Sequence, residues 1–288
     1  KYFDITYFSK IGLAITTLIF DYGILLGIAS LIRKYSPKLL LILYWCSPIV
    51  LYIFYWHGQL DGFPVCLLVW GIVLLQKKKP YASGILFGMA IASKISMFVA
   101  FPFITIYLCR SRRIKNLLKP FLLSTIFTAS LFFLPFSYSA AFNNMVLRTP
   151  ESEKLFSVFL NYGGDLKLFL LPTVYVLSLY LVWRLEKITL DLFLISVGIG
   201  FFVLLLLLPP APGWFLWVIP FLVFYQIRSQ KDYLFTSLPF YFMYIIYNLF
   251  YSSGADIHFL NLNTSQPISN YFAINDLQIK SIFFTGLQ

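Results

Sequence analysis

Charge is scarce in this sequence. Asp, Glu, Lys and Arg together make up 11% of its 288 residues, against about a quarter in an ordinary soluble domain. Acidic residues number only 11, histidines 2 and cysteines 3. With so little polar side chain, and 60% hydrophobic residues, the chain cannot cover a soluble core with water-facing surface. Cys46, Cys66 and Cys109 lie in or beside apolar runs without metal-ligand spacing, so they read as small buried hydrophobes. Phosphate-cradling GxxxxGK[ST] loops, GxGxxG turns after a strand and HExxH helices are all missing, which removes support for nucleotide-driven chemistry. No signal peptide opens the chain. It begins Lys1-Tyr2-Phe3-Asp4 without Met and ends Phe283-Phe284-Thr285-Gly286-Leu287-Gln288, and it is expected to be a fragment at both ends.

Long apolar runs are what the sequence has instead, with a mean hydropathy of +0.82. A helix needs about 20 apolar residues to cross the hydrocarbon core, fewer where it packs within protein. Ten segments qualify: Ile11–Ile32, Leu39–Trp56, Phe63–Leu75, Tyr81–Ser93, Ile95–Leu108, Leu117–Phe136, Leu168–Leu185, Leu190–Leu208, Trp214–Tyr225 and Tyr233–Tyr251. The expected fold is therefore an all-α, multi-pass transmembrane bundle of about ten helices, some short, forming a single domain over residues 1–288. The 32 Phe and 20 Tyr suit lipid contact and interfacial anchoring.

Charge then orients the bundle. Arg33, Lys34 and Lys38, then Lys77 to Lys79, then Arg110, Arg112, Arg113, Lys115 and Lys119, then Arg184 and Lys187, then Arg228 and Lys231 occupy every second loop. Basic loops face the cytoplasm. The net charge of +11 is thus explained by orientation rather than by a nucleic-acid partner. The other face carries the two longest loops, Ser137–Lys167 and Ser252–Asp276, and most of the acidic residues: Asp4, Asp61, Glu151, Glu153, Asp165, Asp256 and Asp276. Chemistry is expected there.

On that face Trp56-His57-Gly58-Gln59-Leu60-Asp61-Gly62 gathers an imidazole, an amide and a carboxylate at one helix end. Asp61 and His57 are the catalytic candidates: Asp61 could act as a base or orient a hydroxyl, while His57, like the substrate-ligand candidate Gln59, could bind a sugar or phosphate. A polar turn with Asp61 capping a helix is an equal reading. Lys94 lies between two runs too short for ordinary spans; a cation at this depth suits a lipid-linked phosphate, the alternative being a snorkelling lysine. Arg148 is a second candidate phosphate ligand, though a solvated loop charge is the safer reading. Trp214 and Trp217 in Pro209-Pro210-Ala211-Pro212-Gly213-Trp214-Phe215-Leu216-Trp217 present faces that stack on sugars or anchor helices at the interface. Asp21, inside the first segment, reads as an inter-helix hydrogen-bond partner. Asn263-Thr264-Ser265 is a glycosylation sequon.

The order of these motifs carries a resemblance. His57-Gly58-Gln59-Leu60-Asp61 is followed by a basic turn and by Ser83-Gly84-Ile85-Leu86-Phe87-Gly88-Met89-Ala90-Ile91-Ala92-Ser93-Lys94. An apolar run broken by Pro102 comes next, and later Pro212-Gly213-Trp214-Phe215-Leu216-Trp217-Val218-Ile219-Pro220. From about Ile11 onward the chain resembles the GT-C superfamily of integral-membrane glycosyltransferases, and within it the mannosyltransferases related to the GPI-anchor enzymes and their bacterial counterparts. The resemblance implies transfer of a hexose from a polyprenyl-phosphate donor to a glycan, lipid or protein acceptor on the extracytoplasmic or lumenal face, with inversion and a base that deprotonates the acceptor. It implies no fixed cofactor, metal dependence varying among such enzymes. It also implies a catalytic Asp in the first outer loop; Asp4 matches that pattern poorly, so either this carboxylate lies in a part preceding Lys1 or another residue serves. The Ile, Phe, Tyr and Lys bias points to a bacterial cytoplasmic membrane rather than the endoplasmic reticulum. Two other functions fit the composition. A flippase or transporter of polyprenyl-linked glycans predicts polar residues at several membrane depths; a non-catalytic scaffold predicts no convergence of His57, Asp61 and Lys94.

Overall fold

The computed structural model describes residues 5–32, 36–56, 58–111, 114–147, 154–161, 166–208, 210–229 and 233–250. The chain divides into two compact units, Lys1–Gln230 and Lys231–Gln288. Within the first, helices follow the apolar segments closely: α1 (Ile5–Leu31), the bent pair α2 (Pro37–Trp45) and α3 (Pro48–Tyr55), α4 (Gly62–Gln76), α5 (Pro80–Ser93), α6 (Ala100–Arg110), α7 (Leu118–Phe133), α8 (Leu170–Arg184), α9 (Leu190–Leu207) and α10 (Ile219–Ser229). The second unit contributes α11 (Tyr233–Phe250), with Pro239 inside it. The protein is an all-α helical membrane protein. Among the described residues, three helical stretches are long and apolar enough to span a bilayer alone, Ile11–Leu31, Lys115–Phe136 and Leu190–Leu207, and the bent pair makes a fourth.

Local chemistry sets the ends. Proline stands in the first turn of α2, α3 and α5, where its missing N–H is lost without cost and its φ suits the helix. The Thr189 hydroxyl accepts from the Leu192 amide at the start of α9, a conventional cap. The second apolar segment is not one straight helix. Pro48 interrupts it, α2 and α3 meet at 53°, and each closes in a π-helical stretch, Leu41–Trp45 and Tyr52–Trp56. The fifth segment opens with a 3-10 turn at Ile95–Val99, and the ninth with another at Pro212–Trp217. The outer segment between α7 and α8 holds a short antiparallel hairpin, β1 (Phe159–Asn161) with β2 (Lys167–Phe169), in register Leu160 to Leu168. No periodicity in the sequence announced it.

Small residues let the short helices approach. On α5, Gly84 and Gly88 lie four apart and face α7; a Cβ on Gly88 would sit 2.8 Å from the Thr125 carbonyl and from Thr128 Cβ. Gly23 and Gly27 do the same for α1 on α4, where the Trp70 indole donates to the Gly23 carbonyl at 2.9 Å. Between α4 and α5 the Ser83 hydroxyl donates to the Gly71 carbonyl at 2.7 Å. This small-residue packing is how helices associate where lipid is as apolar as leucine. The outward faces remain apolar: Ile15, Ile19 and Tyr22 on α1, and Ile126, Phe127 and Leu131 on α7, are exposed. In water that pattern is a liability; in a bilayer it is the lipid-facing side.

The loop alternation read from charge has a structural counterpart. Arg110, the last residue of α6, donates to the Leu185 carbonyl at 2.9 Å and lies over Trp183, while Arg228 pairs with Asp191 at 2.8 Å. All of these belong to the basic face. Of the residues assigned to the opposite face, the described Asp61, Lys94 and Trp217 come together.

Candidate functional site

Three chain segments bring the described outer-face candidates together. The first is the turn Gly58–Asp61 that leads into α4. Gly58 has φ +65°, a conformation glycine adopts without steric cost, and it reverses the chain so that the Gln59 amide donates back to the Ile53 carbonyl at 3.1 Å. The second is Lys94, which ends α5 in an extended conformation (φ −154°, ψ 111°) before the Ile95–Val99 turn. The third is the 3-10 turn Pro212–Trp217.

Asp61 is the centre of the arrangement. It occupies the cap position of α4, yet its side chain makes no capping bond. Its Oδ1 instead accepts from the Lys94 ammonium and from the Trp217 indole N–H, the latter at 3.2 Å. The capping role is therefore not what the carboxylate does. The Lys94 ammonium also lies 4.9 Å from the Trp217 ring centroid, a cation–π arrangement that is strongest with indole. Trp214 stacks on Trp217 with centroids 4.9 Å apart. Asp61 and Trp217 are buried, while the Lys94 side chain keeps 29% of its exposure and Trp214 is half-buried. The pair is thus closed on the carboxylate side and open on the ammonium side.

Gln59 completes the group from below. Its Oε1 is buried without a hydrogen-bond donor and lies against Gly213. A Cβ at position 213 would run into the Gln59 amide, with its Cδ only 2.7 Å away, and into Asp61 Oδ2. Only glycine permits this approach. The sequence alone does not show that contact, because it joins two segments more than 150 residues apart.

Of the remaining site candidates, His57 and Arg148 lie outside the described residues, as do Asp4 and the Asn263-Thr264-Ser265 sequon. Asp21 is buried in α1 and accepts from the Tyr55 hydroxyl at 2.5 Å, the inter-helix role read from sequence. Among the described residues no three of His, Cys, Asp and Glu come together as a metal-ligand group.

A sequence model of the ALG6, ALG8 glycosyltransferase family matches residues 2–150, which is just over half of the 288 residues. Comparison with curated proteins and with solved structures gives no match. The matched region holds Gln59, Asp61 and Lys94; Trp214 and Trp217 lie beyond it. The general likeness to GT-C enzymes is borne out, while the match says nothing of mannose or of the GPI-anchor enzymes. By this match, on an apolar helical bundle that gathers a carboxylate, an ammonium and two indoles, the chain belongs to the ALG6, ALG8 glycosyltransferase family of membrane glycosyltransferases.

Proposed function

We propose that the protein transfers a hexose from a polyprenyl-phosphate donor to a glycan, lipid or protein acceptor on the extracytoplasmic or lumenal face, and that Lys94, Asp61 and the Trp214–Trp217 pair form part of the donor site. The observation that carries this reading is the Lys94 ammonium, fixed between a buried carboxylate and an indole face yet still partly open. A cation held in that way is suited to a phosphate, to which it offers its remaining N–H donors. Its position at the outer helix ends is also where the head of a lipid-linked donor meets the protein when the polyprenyl tail lies in the bilayer.

The roles follow from the geometry. Lys94 meets the donor phosphate and stabilises the charge that grows on it as the bond from the anomeric carbon to the phosphate oxygen breaks. Asp61 keeps the ammonium in place; both of its side-chain hydrogen bonds among the described residues fall on Oδ1, which leaves Oδ2 as the atom to orient a sugar hydroxyl. Trp217 is buried against Asp61 and Trp214 and serves as support, while half-buried Trp214 has ring surface for a sugar. Gln59 supplies an amide beside Asp61. In this scheme His57 is the candidate base and Arg148 the candidate second phosphate ligand, on the strength of their residue types alone. The whole chain is read as one transmembrane catalytic domain, and the scheme holds for a bacterial cytoplasmic membrane and for the endoplasmic reticulum alike.

The test is transfer from radiolabelled polyprenyl-phosphate mannose or glucose by the reconstituted full-length protein. Incorporation into acceptor that is lost in Asp61→Asn and Lys94→Ala is the expected result. Absence of transfer with either donor, together with movement of a labelled polyprenyl-linked glycan across the vesicle membrane, would replace this reading with the flippase.

A further inference from the structure

The Asp61 turn hangs from the outer end of α3, and α3 is the far half of a broken span. A hydrogen-bond cluster away from the site spans that break. Asp21 of α1 is buried, and its Oδ2 accepts from the Tyr55 hydroxyl at 2.5 Å. Tyr55 in turn accepts from the Trp45 indole at 3.3 Å. The fully buried Tyr44 donates to the backbone carbonyl of Asp21 at 3.3 Å. Tyr44 and Trp45 belong to the π-helical stretch before the break, and Tyr55 to the one after it. One aspartate therefore ties both halves of the bent span to a straight helix. Asp21 Oδ1 is buried with no hydrogen-bond partner, and the side chains of Tyr55, Tyr44 and Trp45 all bear on the carboxylate.

The consequence reaches the site through few residues. Tyr55 is followed by Gly58, Gln59 and Asp61. The Gln59 amide is folded back onto the Ile53 carbonyl, a Cβ at Gly58 would touch Leu13 of α1 at 3.3 Å, and Gly62 packs on Phe54. Backbone that departs from α geometry is free to choose other angles unless something outside it decides, and π-helical turns are such places.

We propose that Asp21 is a positioning residue for glycosyl transfer: through Tyr55 it fixes the angle of α3 and so the placement of Gln59 and Asp61 against Lys94. This rests on the reading of Asp61 and Lys94 as the donor site. Tyr55 is about half exposed toward lipid, so Tyr55→Phe removes the hydroxyl without opening the core. Asp21→Asn keeps an oxygen that accepts from Tyr55; Asp21→Leu does not.

Two readouts in reconstituted full-length protein test it. The first is kinetic. Tyr55→Phe and Asp21→Leu lower kcat about tenfold or more with donor KM little changed, as small displacements of reacting groups do, while Asp21→Asn stays within about threefold of the wild type by the same reasoning. The second needs no activity: spin labels at positions 60 and 95, in a background with the three native cysteines replaced by alanine. The interlabel distance distribution broadens in Tyr55→Phe and stays narrow in Asp21→Asn. Unchanged distances in Tyr55→Phe overturn the proposal, as does broadening that leaves kcat at the wild-type value. A kcat loss that Asp21→Asn does not spare overturns it as well. If the wild type transfers no sugar, the site reading fails, and the distances alone support or overturn the clamp.

Discussion

Replacing Gly213 with alanine is the smallest perturbation that reaches the centre of the site. The added Cβ would lie 2.7 Å from Gln59 Cδ and would also collide with Asp61 Oδ2. Carbon atoms in ordinary contact stand about 3.5–4.0 Å apart, and the Cβ would also overlap Gln59 Oε1, so the Gln59 amide has to retreat by about 2 Å and the Asp61 carboxylate by about 1 Å. Both groups end flexible side chains, so the fold survives at an overpacking cost of about 1–3 kcal/mol. Transfer suffers more, because a displacement of about 1 Å at a positioned group costs on the order of 100-fold in rate. The assay is kcat for hexose transfer in proteoliposomes, with thermal melting in detergent run alongside. Gln59→Ala removes the larger obstacle, so the double variant should melt closer to the wild type than Gly213→Ala does, with a coupling of about 1 kcal/mol or more. Wild-type transfer and melting in Gly213→Ala would refute the packing described here, and so would a double variant no more stable than Gly213→Ala.

Lys94→Ala removes the ammonium from the donor site; a charged hydrogen bond is worth about 1.5–3 kcal/mol, so donor Kd should rise roughly 10- to 150-fold in equilibrium binding, and unchanged affinity would remove the phosphate role. Gly88→Val puts carbon into the Thr125 carbonyl and Thr128, where backbone has to give; α5 and α7 separate, and folded protein recovered in detergent should fall sharply, whereas normal recovery would contradict the close approach. Arg228→Ala breaks an ion pair whose side chains are 62% and 35% exposed, and melting should move by less than about 0.5 kcal/mol equivalent; a larger shift would mean that the pair does more than its exposure allows.

Much of this architecture was readable in the amino-acid order, for a physical reason. Lipid demands helices and apolar side chains at once, so the helical segments stand out as runs such as Leu190–Leu207 without help from periodicity. Alternating basic loops added the faces. The break in the second segment was less legible: Pro48 marks it, but the 53° bend depends on where Tyr44 and Tyr55 find Asp21. The hairpin at Phe159–Phe169 was not legible, being three residues a side within a loop of mixed composition. At the site, the sequence nominated Asp61, Gln59, Lys94 and both tryptophans individually. It left Asp61 evenly divided between capping and chemistry, because nothing local shows that Trp217 donates to it from the far end of the chain. The contact between Gly213 and Gln59 was invisible for the same reason.

The claim that the Lys94–Asp61–Trp217 cluster serves transfer on the face opposite the basic loops is tested most directly by sidedness. Full-length protein is reconstituted, its orientation is established by impermeant labelling of cysteines introduced at Leu60 and Lys78, and a membrane-impermeant acceptor is supplied on one side with radiolabelled polyprenyl-phosphate hexose in the bilayer. The account predicts labelled product only when the acceptor shares the side on which position 60 is labelled, and none with Lys94→Ala. Product formed on the side of position 78, or undiminished product in Lys94→Ala, would contradict it.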